Sequence, residues 1–175
     1  IQQELKPALM DAREDLNLVR DVLTAQQNVE IAAALGNPNR KFPGGLTAAD
    51  SQQALDYLRA NVPADKMRRV DRTVEQIRAF VDGYRERFVE AGVWTRELGD
   101  DLKAKYPTYT PQKILEYAKD PMKAPVGRGL SLRDRGLRRL TEEGTERARE
   151  DPLTSLVRYA HDAEAIIGKN EAFNA

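Results

Sequence analysis

The residues best suited to chemistry in this sequence are arginines. Arg128, Arg133, Arg135, Arg138 and Arg139 crowd the stretch 128–139. A guanidinium is a planar fork that holds phosphate oxygens two at a time. The cluster is therefore the candidate for contact with phosphate or a nucleic-acid backbone. Asp134, Glu142 and Glu143 interleave with it, and salt bridging to them, or to acidic helix faces elsewhere, is the competing use.

Other reactive groupings are sparse. His161 is the single histidine, with Arg158 and Glu164 a turn to either side. Its ordinary role is a neutral partner to Glu164. One histidine leaves a metal site short of ligands, and with no cysteine there is neither a thiolate ligand nor a disulfide. A serine hydrolase would have to combine His161 with Ser51, Ser131 or Ser155, none of which sits in a nucleophile elbow. Asp100 and Asp101 are adjacent, so on a helix they point in different directions and read as solvated positions. Neither GxxxxGK[ST] nor GxGxxG occurs, and Gly127-Arg128-Gly129 lacks the strand and helix of a nucleotide loop. No catalytic, cofactor or metal-binding residue is assigned, and the expectation is a protein that is not an enzyme. Trp94, Tyr106 and Tyr109 complete the candidates, as contacts to a partner. For Trp94, at a corner between helices, packing is the first reading and ligand stacking the second.

The element that must organise the chain runs from Asp65 to Gly92. Met67, Val70, Val74, Ile77, Val81, Tyr84, Phe88 and Ala91 recur in alternating steps of three and four. That period puts them on one stripe of a helix, with charged residues, Arg85 among them, between. Such a stripe needs partner helices. Leu5, Leu9, Ala12, Leu16, Val19 and Leu23 predict one helix over 4–35, starting as late as Lys6 because of Pro7. Its seam then meets Gln26, Gln27 and Asn28. Either these polar residues lie in the seam and fix register, or the helix leaves the core there, with an apolar face resuming at Val29, Ala32, Ala33 and Leu35.

Gly36 to Gly45, with two prolines and three glycines, reads as an irregular loop. Thr47 and Asp50 resemble a capping box for a helix over 47–60 with Ala54, Leu55 and Leu58 inward. Thr95 caps another over 95–105, with Leu98 and Leu102 inward. Tyr106-Pro107-Thr108-Tyr109-Thr110-Pro111 reads as extended. It either lies across the helices or offers itself to another chain, and the first is favoured. Asp151-Pro152 starts a third long helix over 152–173, with Leu153, Leu156, Ala160, Ala163 and Ile167 as seam, Val157 and Ile166 widening it, and Asn170 continuing the register.

The fold class expected is all-α: an irregular bundle of three long and two or more short helices, with an extended Tyr/Pro segment and an Arg-rich loop. At 175 residues this is one domain, divided as 1–45, 46–92 and 93–175. Opening on Ile1 in place of Met suggests a piece of a larger chain. A net charge of zero, with 28 basic and 28 acidic residues, excludes a globally basic nucleic-acid surface but not a local patch. No apolar run is long enough for a membrane span.

The second half resembles a module of the large polyvalent proteins of phages and integrated mobile elements. The parts, in order, are Leu98-Gly99-Asp100-Asp101-Leu102, then Tyr106-Pro107-Thr108-Tyr109-Thr110-Pro111 (similar to that family's "YPxYvP" element), an Arg- and Gly-bearing stretch from Arg133 to Gly144, Asp151-Pro152-Leu153, and Asn170-Glu171-Ala172. The likeness spans about 93–175, with Met67 to Gly92 as the long helix before it; residues before about 45 are not covered. The resemblance implies a non-catalytic structural or interaction module of a giant chain that travels with incoming DNA, in a virion or the host cytoplasm. Its partners would be other domains of that chain, or virion and host proteins, and the heptad seams allow an oligomer. Two alternatives stand beside it: a nucleic-acid contact module using the arginines at 128–139, and a regulatory domain controlling an attached toxin or nuclease.

Overall fold

The computed structural model describes residues 5–110 and 151–174. Within them the chain is an all-α helical bundle: α1 (Leu5–Asp11), α2 (Leu16–Ala34), α3 (Ala48–Asn61), α4 (Ala64–Glu90), α5 (Arg96–Lys105) and α6 (Pro152–Asn174). None of the described helices is long and apolar enough to cross a membrane.

The spine is α4, 27 residues long and so roughly 40 Å from end to end. Met67, Val70, Val74, Ile77, Val81, Tyr84 and Phe88 are all buried, Val70, Ile77 and Phe88 completely. Four of the other five helices, α1, α2, α5 and α6, pack against it. It stops in a Schellman turn at Gly92 (φ +71°). The N–H groups of Gly92 and Val93 donate to the carbonyls of Val89 and Phe88 at 3.0 and 2.8 Å, satisfying carbonyls that a helix end leaves open. The C-terminal half of α4 carries aromatic rings that meet α6 and the corner after α4. Tyr84 lies edge-on to Tyr159 at 5.8 Å, and Phe88 lies 4.8 Å from Trp94. Trp94 is thereby a packing residue, half-buried against the core.

Several sequence expectations change in the structure. The helix expected over 4–35 is interrupted at 12–15. Asp11, Glu14 and Asp15 bring carboxylates to the C-terminal end of α1, which the helix dipole disfavours. The turn lets Asp15, 4% exposed, reach α4, where Lys66 Nζ lies 2.8 Å and Arg69 Nη2 3.3 Å from its oxygens. Lys66 first, then Arg69, holds the Asp15 carboxyl below its ordinary range.

Beyond the break α2 keeps its polar seam inside: Gln27 and Asn28 are 1% and 2% exposed. The buried face then continues through Ile31 and Ala32, while Ala33 and Leu35 are exposed. A straight helix drifts from a strict seven-residue repeat, and Phe42 returns from the loop to form a small second core with Ile31 and Ala32. That loop contains one 3-10 turn, Pro43–Gly45. In α3 the capping box forms as read: Asp50 N–H donates to Thr47 Oγ1 at 3.2 Å and Thr47 N–H to Asp50 Oδ2 at 2.8 Å. Its inner face is Ser51, Leu55 and half-buried Leu58, with Ala54 outside. In α6 the five seam residues are buried, but Val157 is half exposed and Tyr159 takes the inward place. Its cap is Asp151, whose Oδ1 accepts from Leu153 and Thr154 N–H at 3.1 and 3.0 Å.

Two helical glycines make a paired test. A Cβ at Gly83 meets nothing within 4 Å, whereas one at Gly99 lands 2.8 Å from Val89 Cγ2. Valine in a helix has one strongly preferred rotamer, so it yields poorly. Gly83→Ala is expected to stabilise the fold by about 0.5–1 kcal/mol. Gly99→Ala loses that gain to overpacking and comes out about 1 kcal/mol destabilised. Urea melts of the two variants check both signs.

Candidate functional site

Among the described residues, the buried polar side chains Gln27, Arg85 and Thr110 gather where the Tyr/Pro segment crosses α2 and α4. The segment leaves α5 at Tyr106 (φ −134°, ψ 66°), because a residue before proline avoids the helical region. Pro107 and Thr108 form a turn, closed by Tyr109 N–H donating to the Tyr106 carbonyl at 3.3 Å. The strap then lies across the helices. Its main-chain groups find side-chain partners. Arg85 Nη2 donates to the Tyr106 carbonyl at 2.9 Å, Thr108 N–H donates to Glu30 Oε1, and Gln27 Nε2 donates to the Thr110 carbonyl at 2.7 Å. Backbone polar groups removed from water require such partners.

Arg85, read from the sequence as a solvent position, is 5% exposed. Its charge meets Asp82 Oδ1 at 2.6 Å, and its guanidinium stands 5.7 Å from the centre of the Tyr109 ring. Beside it Arg78 Nη2 donates to Gln26 Oε1. Burial raises the Glu30 carboxyl above its ordinary value, outweighing the Thr108 hydrogen bonds and the charges of Arg78 and Arg85. Burial likewise pushes the Tyr109 phenol up to about 12.

A second joint ties α6 to α4. Arg87 donates to both Glu164 oxygens, at 2.5 and 2.8 Å, and Tyr84 Oη adds a bond at 2.7 Å. Glu164 is thus held by α4, and His161, expected beside it, is exposed and 3.7 Å from Asp162 Oδ1. Sequence spacing showed which residues share α6 but not what α4 brings to them. Arg87, then Tyr84, lowers the Glu164 carboxyl to about 2 from an ordinary 4.5. A depressed carboxylate contributes stability above its unfolded value and loses it as pH falls through the folded one. The wild-type melting temperature is therefore expected to fall between about pH 4.5 and 2. Glu164→Gln should lose no more than about 1 kcal/mol near neutrality, because the pair is half exposed. It should also flatten that acid limb; calorimetry across the range checks it.

The other candidates fall as follows. Tyr106 is 8% exposed, and Tyr109 packs against the main core, so both aromatic candidates anchor the strap. Ser51 and Ser155 are buried, and Ser51 Oγ donates to the Thr47 carbonyl. His161, by contrast, is exposed. Asp100 and Asp101 face solvent. Arg128, Arg133, Arg135, Arg138 and Arg139 lie outside the described residues, as does Ser131. Among the described residues no group of three or more His, Asp or Glu is placed to hold a metal ion. Gln27, Glu30, Arg78 and Arg85 carry no site motif in the sequence. Only the polar interruption at 26–28 hinted at them, since an arginine one place from a heptad position looks the same buried or solvated. No known protein family, curated protein or solved structure matches this chain.

Proposed function

We propose that the chain is a non-catalytic structural and interaction module of a large phage-type or mobile-element protein, co-delivered with DNA. The supporting observation is how the fold uses its buried polar residues. Asp15 fastens the α1–α2 turn to α4, Asn28 Nδ2 donates to Ser51 Oγ between α2 and α3, and Gln27 and Arg85 hold the strap. Each joins one element to another, as a rigid building block requires. The test is to delete this module from its parent chain. Assembly or packaging of the parent should fail while any enzymatic domain keeps its turnover. Normal assembly overturns the reading, and altered turnover of an attached toxin or nuclease identifies a regulatory domain instead.

A second reading rests on the five arginines at 128–139: contact with the phosphate backbone of nucleic acid. Binding to duplex and single-stranded DNA should then weaken steeply as salt rises. Replacing all five with glutamine should abolish it. Absence of salt-dependent binding near physiological ionic strength removes this reading.

A further inference from the structure

We infer that Glu30 makes the strap a proton-linked clasp: closing residues 106–110 over α2 and α4 takes up a proton at the Glu30 carboxylate, so the strap lies tighter in acid than near neutrality. The device belongs to this fold and does not depend on the module's partner.

Three side chains hold the main chain of the strap. Arg85 donates to the carbonyl of 106, Glu30 accepts from the N–H of 108, and Gln27 donates to the carbonyl of 110. Of the three, Glu30 alone changes charge between acid and neutral pH. Its Oε1 takes the Thr108 N–H, while its Oε2 is enclosed and has no hydrogen-bond partner. A carboxylate shut in with a bare oxygen carries a charge that water would otherwise stabilise. A proton on Oε2 removes that charge and leaves Oε1 to keep the Thr108 bond. Gln27, one turn earlier on the same face of α2, also has an enclosed Oε1 without a donor. Two neighbouring acceptors without a hydrogen between them favour the state that brings one.

The surrounding charges do not reverse this. α4 brings Arg78 and Arg85, but Arg78 Nη2 is given to Gln26, and Arg85 to Asp82 and the Tyr106 carbonyl. Among the described residues neither guanidinium pairs with Glu30, and Arg78 Nε has no partner at all. Asp82 returns a negative charge to Arg85 and is met by Lys103 of α5 at 3.8 Å. The strap adds Thr108 and two phenols, with Lys105 of α5 over the Tyr106 ring and the Tyr109 phenol pushed up to about 12. On its other side α2 meets α3 through the neutral pair Asn28 and Ser51. The ion pair of Arg20 with Asp151, beside α6, lies roughly 15 Å along the helix. Burial outweighs the two arginines and holds the Glu30 carboxyl above its ordinary 4.5. A carboxyl raised in the closed form contributes stability that is fully present below about pH 4.5 and is lost as pH rises through the higher closed value. Lifting the strap returns Glu30 to water, so the linkage falls on the strap.

Two NMR readouts on the full chain test this between about pH 3 and 8. The Glu30 Cδ signal should titrate with a midpoint above 4.5. Across the same rise in pH, the protection factor of the Thr108 amide should fall at least about twofold relative to that of Ile77, which reports the bundle. Glu30→Gln keeps an acceptor for Thr108 and carries no charge at any pH, so in it this ratio should stay level. A midpoint at or below 4.5 overturns the inference. So does a ratio that stays level or climbs with pH in the unaltered chain, or a fall that persists in Glu30→Gln. Should that variant fail to fold, the two readouts on the unaltered chain decide alone.

Discussion

Ile77→Asp is expected to abolish the cooperative fold. Ile77 is fully buried at the middle of α4, between the helices that use this spine as their common surface. The substitution removes an apolar side chain worth about 3 kcal/mol of burial and places a carboxylate in the buried stripe between Val74 and Val81, which holds no cation. An unpaired buried charge costs several kcal/mol more, even after its pKa rises to neutralise it. Domains of this size carry about 5–15 kcal/mol in total. Circular dichroism should show broad, low helicity without a sigmoidal melt. A melt close to that of the unaltered chain would contradict the role assigned to α4.

Arg85→Met should cost about 2–4 kcal/mol and free the strap before it unfolds the bundle. Methionine restores most of the volume, so the loss is chiefly polar. The Tyr106 carbonyl loses its Arg85 donor and retains the Tyr109 N–H, Tyr109 loses the cation above its ring, and Asp82 is left, among the described residues, with the distant Lys103 at 3.8 Å. Leaving such groups unsatisfied is costlier than never burying them. Because Asp82 is partly exposed, water relieves some of that cost, which keeps the helices folded. Hydrogen exchange should show the Thr108 amide losing protection by at least tenfold while amides of the Val74–Val81 turns remain slow. Uniform loss across the bundle would mean that Arg85 supports the core and not the strap.

The architecture was legible wherever spacing alone decides burial. The stripes of α4 and α6, the Thr47–Asp50 box, the Asp151-Pro152 start and the Gly92 stop are all local patterns, and each stands where its residues put it. What sequence spacing could not show is which polar residue is claimed by a distant element. Asp15 breaks a helix because Lys66 and Arg69 come from 51 and more positions away. Arg85 is buried because a segment 21 residues on lays a carbonyl against it. Glu164 is claimed by α4 and not by its helix neighbour His161, and Val157 yields its inward place to Tyr159 because the rings of Tyr84 and Phe88 are there to meet it. Residue type marks Trp94, Tyr106 and Tyr109 as contacts to a partner, whereas the structure shows them in contacts within this chain. The arginines at 128–139 lie outside the described residues, so the structure neither gathers nor disperses them.

α3 stands apart in how it is attached. It packs chiefly on α2, through Leu55 and the Asn28–Ser51 hydrogen bond, and it shares little surface with α4. Free energy of local opening follows the apolar contact an element must give up. Breathing of this bundle should therefore begin at 48–61, exposing the flank of α2 while the spine stays shut. Among the described helices, proteases that cut transiently opened segments would nick this one first, and the others would stay associated.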